Sequence, residues 1–431
     1  MNFIKRKQNT LIFLIVAGLY VAIMLLLYSM HLGNYSLRKI VFMLVIAVSV
    51  IMPTDKLPII IAMLFPLNEC IRLSDNSRTI LPFVVMIYVV KAFFRKMLKP
   101  NNALFFLVPF ILFTAMNMIS SMASFGSFIN PLVTCIFILF AYLMSLQEKN
   151  DKLNACIATV FVISSVITVV FSLMYKDLSM KISGSSEYAT RMSGFSSPWN
   201  FGFCMVLAWF FLATLFEQKK IKYILTFVGS VFFAYYAIAS GTRSLLIGMC
   251  IVFFYLVFVA GKGFVKNKAI YYSVMFLLIP IVAILYLSII FKPMIENRGE
   301  FYDVSRVELW SYYFDFVKSN IKVFLVGLGC NNLSAYAAKV GMLTAHSVFV
   351  EMFVELGVIG SIFYLFLISI IFAKAQKNPF KNNMMIPIIL YLTFLFTQGG
   401  LSTELLYFLI ALACQTYPRP QKEMQKLGYQ E

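Results

Sequence analysis

The chain has 431 residues, 61% of them hydrophobic, with a mean hydropathy of +0.86 and a formal net charge of +18. That apolar share excludes a soluble globular domain, and its arrangement in continuous blocks of about 17 to 25 residues excludes the short alternating strands of a β-barrel. The positive excess would suggest nucleic acid in a soluble chain; here it sits in short joints between apolar blocks, reads as topogenic, and predicts no nucleic-acid partner.

In chain order, the basic stretch MNFIKRKQNT precedes an apolar run, Leu11 to Met30. That run is long for a signal-peptide core and no small-residue cleavage site follows it, so it reads as the first span. Spans are predicted near 11–30, 40–52, 57–67, 80–94, 104–119, 128–146, 153–175, 201–216, 221–239, 244–260, 270–291, 346–372, 384–397 and 401–415. The second and third are short and split by MPTDKLP, whose prolines break helices, so the count is 12 to 14. The seven cysteines (70, 135, 156, 204, 250, 330 and 414) form no CxxC pair and read as packing residues, not as a disulfide or metal framework. The expected fold is an all-α polytopic membrane protein. Its segments are N-terminal spans 1–175, an outer loop 176–200, central spans 201–291, a large outer loop 292–345, and C-terminal spans with a cytoplasmic tail 346–431.

Orientation follows from the basic joints. With the N-terminus inside, the short inner segments carry 22 of the 36 Lys and Arg residues, among them Lys5 to Lys7, Lys91 to Lys99, Lys219 to Lys222 and Lys262 to Lys268. Nine of the remaining 14 lie in the two long outer loops, which weigh less in the positive-inside rule. Both termini are then cytoplasmic, the protein is multi-pass in the cytoplasmic membrane, and the working face is outside. Only 6 of the 18 acidic residues face inward. Loops as long as the two outer ones are usually functional or disordered. In the larger, VSRVELWSYYFDFVKS places Val304, Val307, Leu309/Trp310, Tyr313/Phe314 and Val317 at helical spacing, which predicts an amphipathic helix at the outer surface. Gly327, Gly329, Asn331 and Asn332 then predict a turn.

Four basic side chains stand out on that outer face. His346, one of two histidines, opens the span in TAHSVFVEMFVELGVIG. At ~100° per residue, Phe353, Gly357 and Gly360 return to its face, while Glu351 and Glu355 fall on the far side. The small residues there favour close approach of another helix. The histidine reads either as an interfacial residue bonded to backbone or as a general base. Arg243, in ASGTRSLLIGM, either snorkels or joins a tight turn and helix N-terminus in holding an anion. Arg306 and Arg191 read either as solvated or headgroup-facing residues or as further anion ligands. Three guanidiniums and an imidazole on one side fit a negatively charged substrate plus a proton transfer, and arginine forks match a pyrophosphate. Glu296, Glu300, Asp303 and Glu308 either bind sugar hydroxyls or solvate the loop, and Trp310 is a further candidate for sugar contact. No DxD pair, HExxH or P-loop occurs, so neither a metal nor any other cofactor is expected.

These segments resemble the O-antigen polymerase and O-antigen ligase family. RMSGFSSPWN resembles the family's R-x-S-G stretch before a span. ASGTRSLLIG resembles its S-x-S-R hairpin, with Thr242 where serine is common. SRVELW, VFLVGLGCNN and AHSVFVEMFVELGVIG resemble its large outer loop in order, so that the likeness covers roughly 188–362. Trp199 separates Pro198 from Asn200, and Ser347 stands where the family often has asparagine. The resemblance implies a GT-C-like, metal-independent, inverting glycosyltransferase acting on an undecaprenyl-pyrophosphate-linked oligosaccharide. In it His346 would be the base, and Arg191, Arg243 and Arg306 would hold the pyrophosphate. A Wzy-type repeat-unit polymerase of O-antigen, capsule or exopolysaccharide is the reading favoured. A ligase passing the chain to lipid A-core, protein or wall is the alternative, and a non-enzymatic lipid-linked sugar flippase the rival from another class. The family's usual partners, besides membrane lipid, are a flippase and a chain-length regulator.

Overall fold

A computed structural model describes residues 2–73, 78–95, 100–123, 128–147, 150–183, 192–242, 245–264, 306–342, 345, 347–374 and 404–415. Among them every extended element is helical. In chain order these are α1 (Asn2–His31), α2 (Leu37–Ile51), α3 (Leu57–Leu64), α4 (Leu81–Phe94), α5 (Pro100–Ala123) and α6 (Ile129–Ser145). There follow α7 (Asp151–Met174), α8 (Lys176–Ser183), α9 (Pro198–Glu217), α10 (Tyr223–Ala239) and α11 (Leu245–Phe264). The last are α12 (Arg306–Ser319), α13 (Ile321–Val326), α14 (Leu333–Val340), α15 (Val348–Lys374) and α16 (Glu404–Ala413). Five described segments are long and apolar enough to cross a membrane: Thr10–His31, Leu104–Ala123, Asp151–Met174, Pro198–Glu217 and Val348–Ala373. The protein is thus an all-α membrane protein. The expected spans at 270–291 and 384–397 lie outside the described residues, so the count of 12 to 14 is not decided by these helices.

Prolines shape the segment between α2 and α4. Pro53 follows the end of α2, a single 3₁₀ turn covers Thr54–Lys56, and Pro58 sits in the first turn of α3, where its missing N–H costs nothing. Pro66 then opens a second 3₁₀ stretch, Phe65–Cys70. Every residue of α3 is buried, which is why Leu, Ile and Met surround it with no polar face. With its 3₁₀ extension it covers only about 24 Å, short of a hydrocarbon core.

The chain forms two compact units. The first comprises residues 1–88 and 152–301. Its packing is stitched by small polar groups on α7. Tyr20 of α1 donates to the Val160 carbonyl at 2.8 Å and meets Ser164 Oγ at 2.8 Å. Thr168 donates to the Pro66 carbonyl at 3.2 Å, where the broken helix leaves an acceptor.

The second unit comprises residues 89–151 and 302–431. Here Phe106 of α5 stacks on Tyr142 of α6, centroids 3.8 Å apart, and Phe113 of α5 lies near Tyr364 of α15. The helices of residues 306–340 add their own core: Leu309, Tyr313, Val317, Val323, Leu328, Leu333 and Tyr336 pack with Ala345, Val350 and Val354.

Two expectations change. The amphipathic helix is present as α12, but its buried residues Leu309, Tyr313 and Val317, at i, i+4 and i+8, pack into this loop core. The continuous helix expected over the span 346–372 is interrupted. Gly357 has φ 60° and ψ −174°, so α15 is two helices joined across a break.

Candidate functional site

The first unit joins two of the arginine motifs. In RMSGFSSPWN, the Met192 N–H donates to the Ala239 carbonyl at the end of α10, 3.0 Å away. Ser193 and Phe195 are buried, and Ser179 Oγ donates to the Gly194 carbonyl. Gly194 has φ +57°, and a Cβ there would stand 2.5 Å from Phe201 Cδ2, so both conformation and space demand glycine. Ser197 caps α9, its Oγ accepting from the Asn200 N–H at 3.4 Å, with Pro198 at the first helical position.

In ASGTRSLL, α10 ends as Ser240 Oγ donates to the Ala237 carbonyl at 2.6 Å and Gly241 turns at φ +65°. The Gly241 N–H donates to the Ile238 carbonyl at 2.8 Å, and the buried Thr242 offers its N–H to Ser240 Oγ at 3.4 Å. Gly202 of α9 lets this turn come close: a Cβ on it would lie 2.4 Å from Ser240 Oγ. One main-chain bond therefore ties the residue after Arg191 to a carbonyl four positions before Arg243. Both arginines themselves lie outside the described residues.

The second unit joins the other two motifs. Trp310 Nε1 donates to the Ala345 carbonyl at 2.8 Å. Ala345 is 0% exposed and Ser347 4%, and the Ser347 carbonyl accepts the Glu351 N–H at 2.9 Å, starting α15. His346 lies between these two fixed residues and outside the described set. Arg306 opens α12 about one turn before Trp310; its side chain is likewise not described. Glu308 is exposed on α12, consistent with solvating it, whereas Glu296, Glu300 and Asp303 lie outside the described residues.

A buried polar centre beside this half is absent from the motif reading. The turn Gly327–Asn332 inserts between α5 and α15. Ser120 of α5 donates to the Gly327 carbonyl at 2.5 Å, and Asn117 Oδ1 accepts from the Cys330 N–H at 3.3 Å. Asn332 Nδ2 donates to Ser121 Oγ at 2.9 Å and to the Leu328 carbonyl at 2.9 Å. From α15, the Val354 and Glu355 carbonyls accept the Leu328 and Gly329 N–H groups at 3.0 and 2.8 Å. These carbonyls are available because the break at Gly357 leaves them without partners further along the helix.

Glu355, read above as merely opposite His346, is 4% exposed, and its Oε1 accepts the Leu333 N–H at 3.1 Å. The Asn332 N–H closes the turn onto the Gly329 carbonyl at 3.3 Å. Asn117, Ser120 and Ser121 at i, i+3 and i+4 on an otherwise apolar helix were the sequence signal for this contact. Burial, with the Glu355 charge adding to it, pushes the Cys330 thiol well above its ordinary range, which makes it a packing group and not a nucleophile. Burial, with Tyr312 and Glu351 adding to it, raises Tyr313 to about 12, so it stays a neutral phenol.

Among the described residues, no three His, Cys, Asp or Glu side chains gather as a metal would require. No protein-family model matches the chain, and no curated protein matches it.

Proposed function

We propose that the protein is a metal-independent glycosyltransferase at the outer face of the cytoplasmic membrane, polymerising lipid-linked repeat units of a surface polysaccharide. The observation that supports this most is the pairwise joining of the basic motifs. The Arg191 and Arg243 segments meet at the Met192–Ala239 bond, and the Arg306 helix meets the His346 segment at the Trp310–Ala345 bond.

In this reading the imidazole of His346 takes the proton of the acceptor hydroxyl. The hydroxyl oxygen bonds to the anomeric carbon of the donor glycan from the side opposite the phosphate. The anomeric C–O bond to phosphate breaks, and the undecaprenyl pyrophosphate leaves with the electron pair. Arg191, Arg243 and Arg306 hold the pyrophosphate and stabilise its growing charge. The GT-C-like architecture, inversion and the polymerase assignment all belong to this proposal. A ligase would use the same groups and differ in acceptor.

A second reading has its own support. A lipid-linked sugar flippase calls for interrupted helices and intramembrane polar groups. The α3 segment turns 3₁₀ at Phe65, α15 breaks at Gly357, and Glu351 and Glu355 are buried in the first turns of α15.

One experiment separates the readings. Purified protein in EDTA receives a defined undecaprenyl-pyrophosphate repeat unit, and products are resolved on a gel. A ladder is expected, lost in His346→Ala. Product only on adding a different acceptor selects the ligase. No product together with repeat-unit transfer across proteoliposomes selects the flippase.

A further inference from the structure

We propose that Glu355 is a positioning residue: it holds the outer-loop turn 327–333 in a fixed pose and so fixes the α12–α14 module around the segment that carries His346. The role in turnover rests on the glycosyltransferase reading; the anchoring does not.

A buried carboxyl group faces a main-chain turn. Asn331 has φ +60° and Asn332 lies in the right-handed region, and such alternation makes successive N–H groups converge. The Leu333 N–H donates to Glu355 Oε1 at 3.1 Å, and the Gly329 N–H of the same turn donates to the Glu355 carbonyl at 2.8 Å. Leu333 opens α14, so the Glu355 side chain accepts one of the N–H groups that the first turn of that helix leaves unpaired.

The backbones are then locked from both sides. A Cβ on Gly327 would stand 2.2 Å from the Glu355 carbonyl oxygen, and one on Gly357 would stand 2.6 Å from the Gly327 nitrogen. Neither position accepts a side chain, and both have positive φ. On the opposite flank Asn117, Ser120 and Ser121 of α5 hold Cys330, Gly327 and Asn332. A surface loop is thus bolted to two membrane helices by polar groups that are all buried.

That lock reaches the candidate base through shared packing. Leu328 and Leu333 of the locked turn pack in one cluster with Leu309 and Tyr313 of α12 and with Ala345. Trp310, on the same helix, holds the Ala345 carbonyl. Freeing the turn removes support from that cluster, and a displacement near 1 Å at a reacting group costs roughly 10²-fold in rate.

The test uses the full-length protein in nanodiscs and two substitutions. Glu355→Gln keeps an oxygen that accepts the Leu333 N–H; Glu355→Leu removes every acceptor. Hydrogen exchange is read at Asn331 to Leu333, substrate binding by stoichiometric titration of a lipid-linked repeat, and turnover per binding-competent molecule. The Leu variant is expected to exchange at least about tenfold faster at these amides. Its kcat should fall about 10²-fold with Kd changed less than threefold, and the Gln variant should recover most of both losses. Asn117→Ala, which loosens the same turn from α5, should act in the same direction.

Unchanged exchange in the Leu variant overturns the anchor. Faster exchange with unchanged kcat overturns the positioning role. A loss confined to the number of binding-competent molecules, with kcat intact, shows a folding role only and overturns it too. If the wild-type protein makes no product with any acceptor, the glycosyltransferase reading fails and the positioning role with it, while exchange still decides the anchor.

Discussion

At single residues, His346 carries the proposed chemistry and Gly194 carries a geometric constraint. In the proposed reading His346 is the general base, which requires a neutral imidazole; an unperturbed imidazole titrates at ~6.5. The sign follows: above that value the base is present, and below it the rate falls about tenfold per pH unit. The pH profile of kcat on a lipid-linked repeat should show this acid limb. His346→Ala should lose ~10²–10⁴ in rate while substrate binding persists. A flat profile down to pH 5 would remove the base assignment. For Gly194 the constraint is geometric. Gly194→Ala introduces a Cβ at 2.5 Å from Phe201 Cδ2 on a backbone with φ +57°. Overpacking alone costs about 1–3 kcal/mol, and the strained φ adds to it. The variant should show a lower melting temperature in detergent, while alanine at Gly18, where nothing lies within 4 Å, should not.

At the scale of elements, α12 matters most. Its apolar residues had a choice between lipid and protein, and they took protein, because α13, α14 and the start of α15 supply a matching surface. The indole of Trp310 then has a polar partner at its edge, as a half-buried tryptophan requires. Trp310→Phe keeps the ring and loses the bond to the Ala345 carbonyl. A net loss near 1 kcal/mol in local stability is expected, with faster exchange at the 345–348 amides and roughly tenfold lower turnover. Unaltered exchange there would show that the bond does not hold the segment. The α3 element makes a complementary point. Pro66 follows its end as sequence demanded, and burial of all of α3 with Pro66, Leu67, Asn68 and Cys70 made a short irregular piece tolerable.

For the whole molecule, the testable claim is topology. Charge asymmetry puts Lys219 in an inner joint and Lys339 on the outer loop, and both are exposed. In a Cys156→Ser background, which removes the exposed native thiol, a membrane-impermeant maleimide added to intact cells should label Lys339→Cys and spare Lys219→Cys. Labelling with the opposite preference would invert the orientation and remove the outer-face site. Compactness also divides the chain differently from its loops. The first unit is made of residues 1–88 and 152–301 and the second of 89–151 and 302–431, so each is assembled from separated stretches.

That assembly explains what was legible in advance. Helix positions such as α5, α7 and α9 follow from apolar length, a local property that each segment carries alone. The turn at Gly327 to Asn332 and the helix at 306–319 were legible for the same reason: turn chemistry and periodicity reside in a few neighbouring residues. The sequence by itself determined the helical membrane class, the charge asymmetry from which orientation is predicted and the four basic motifs. Tertiary structure alone decided that Glu355 accepts the Leu333 N–H of a turn 22 positions earlier. It also decided that α15 breaks at Gly357, and that Met192 meets Ala239 and Trp310 meets Ala345. The partners in these contacts lie 22 to 47 positions apart in the chain, counting from Leu333–Glu355 to Met192–Ala239. No local pattern encodes which distant carbonyl an N–H will find; burial settles it, because an unpaired polar group there costs more than the strain of meeting one.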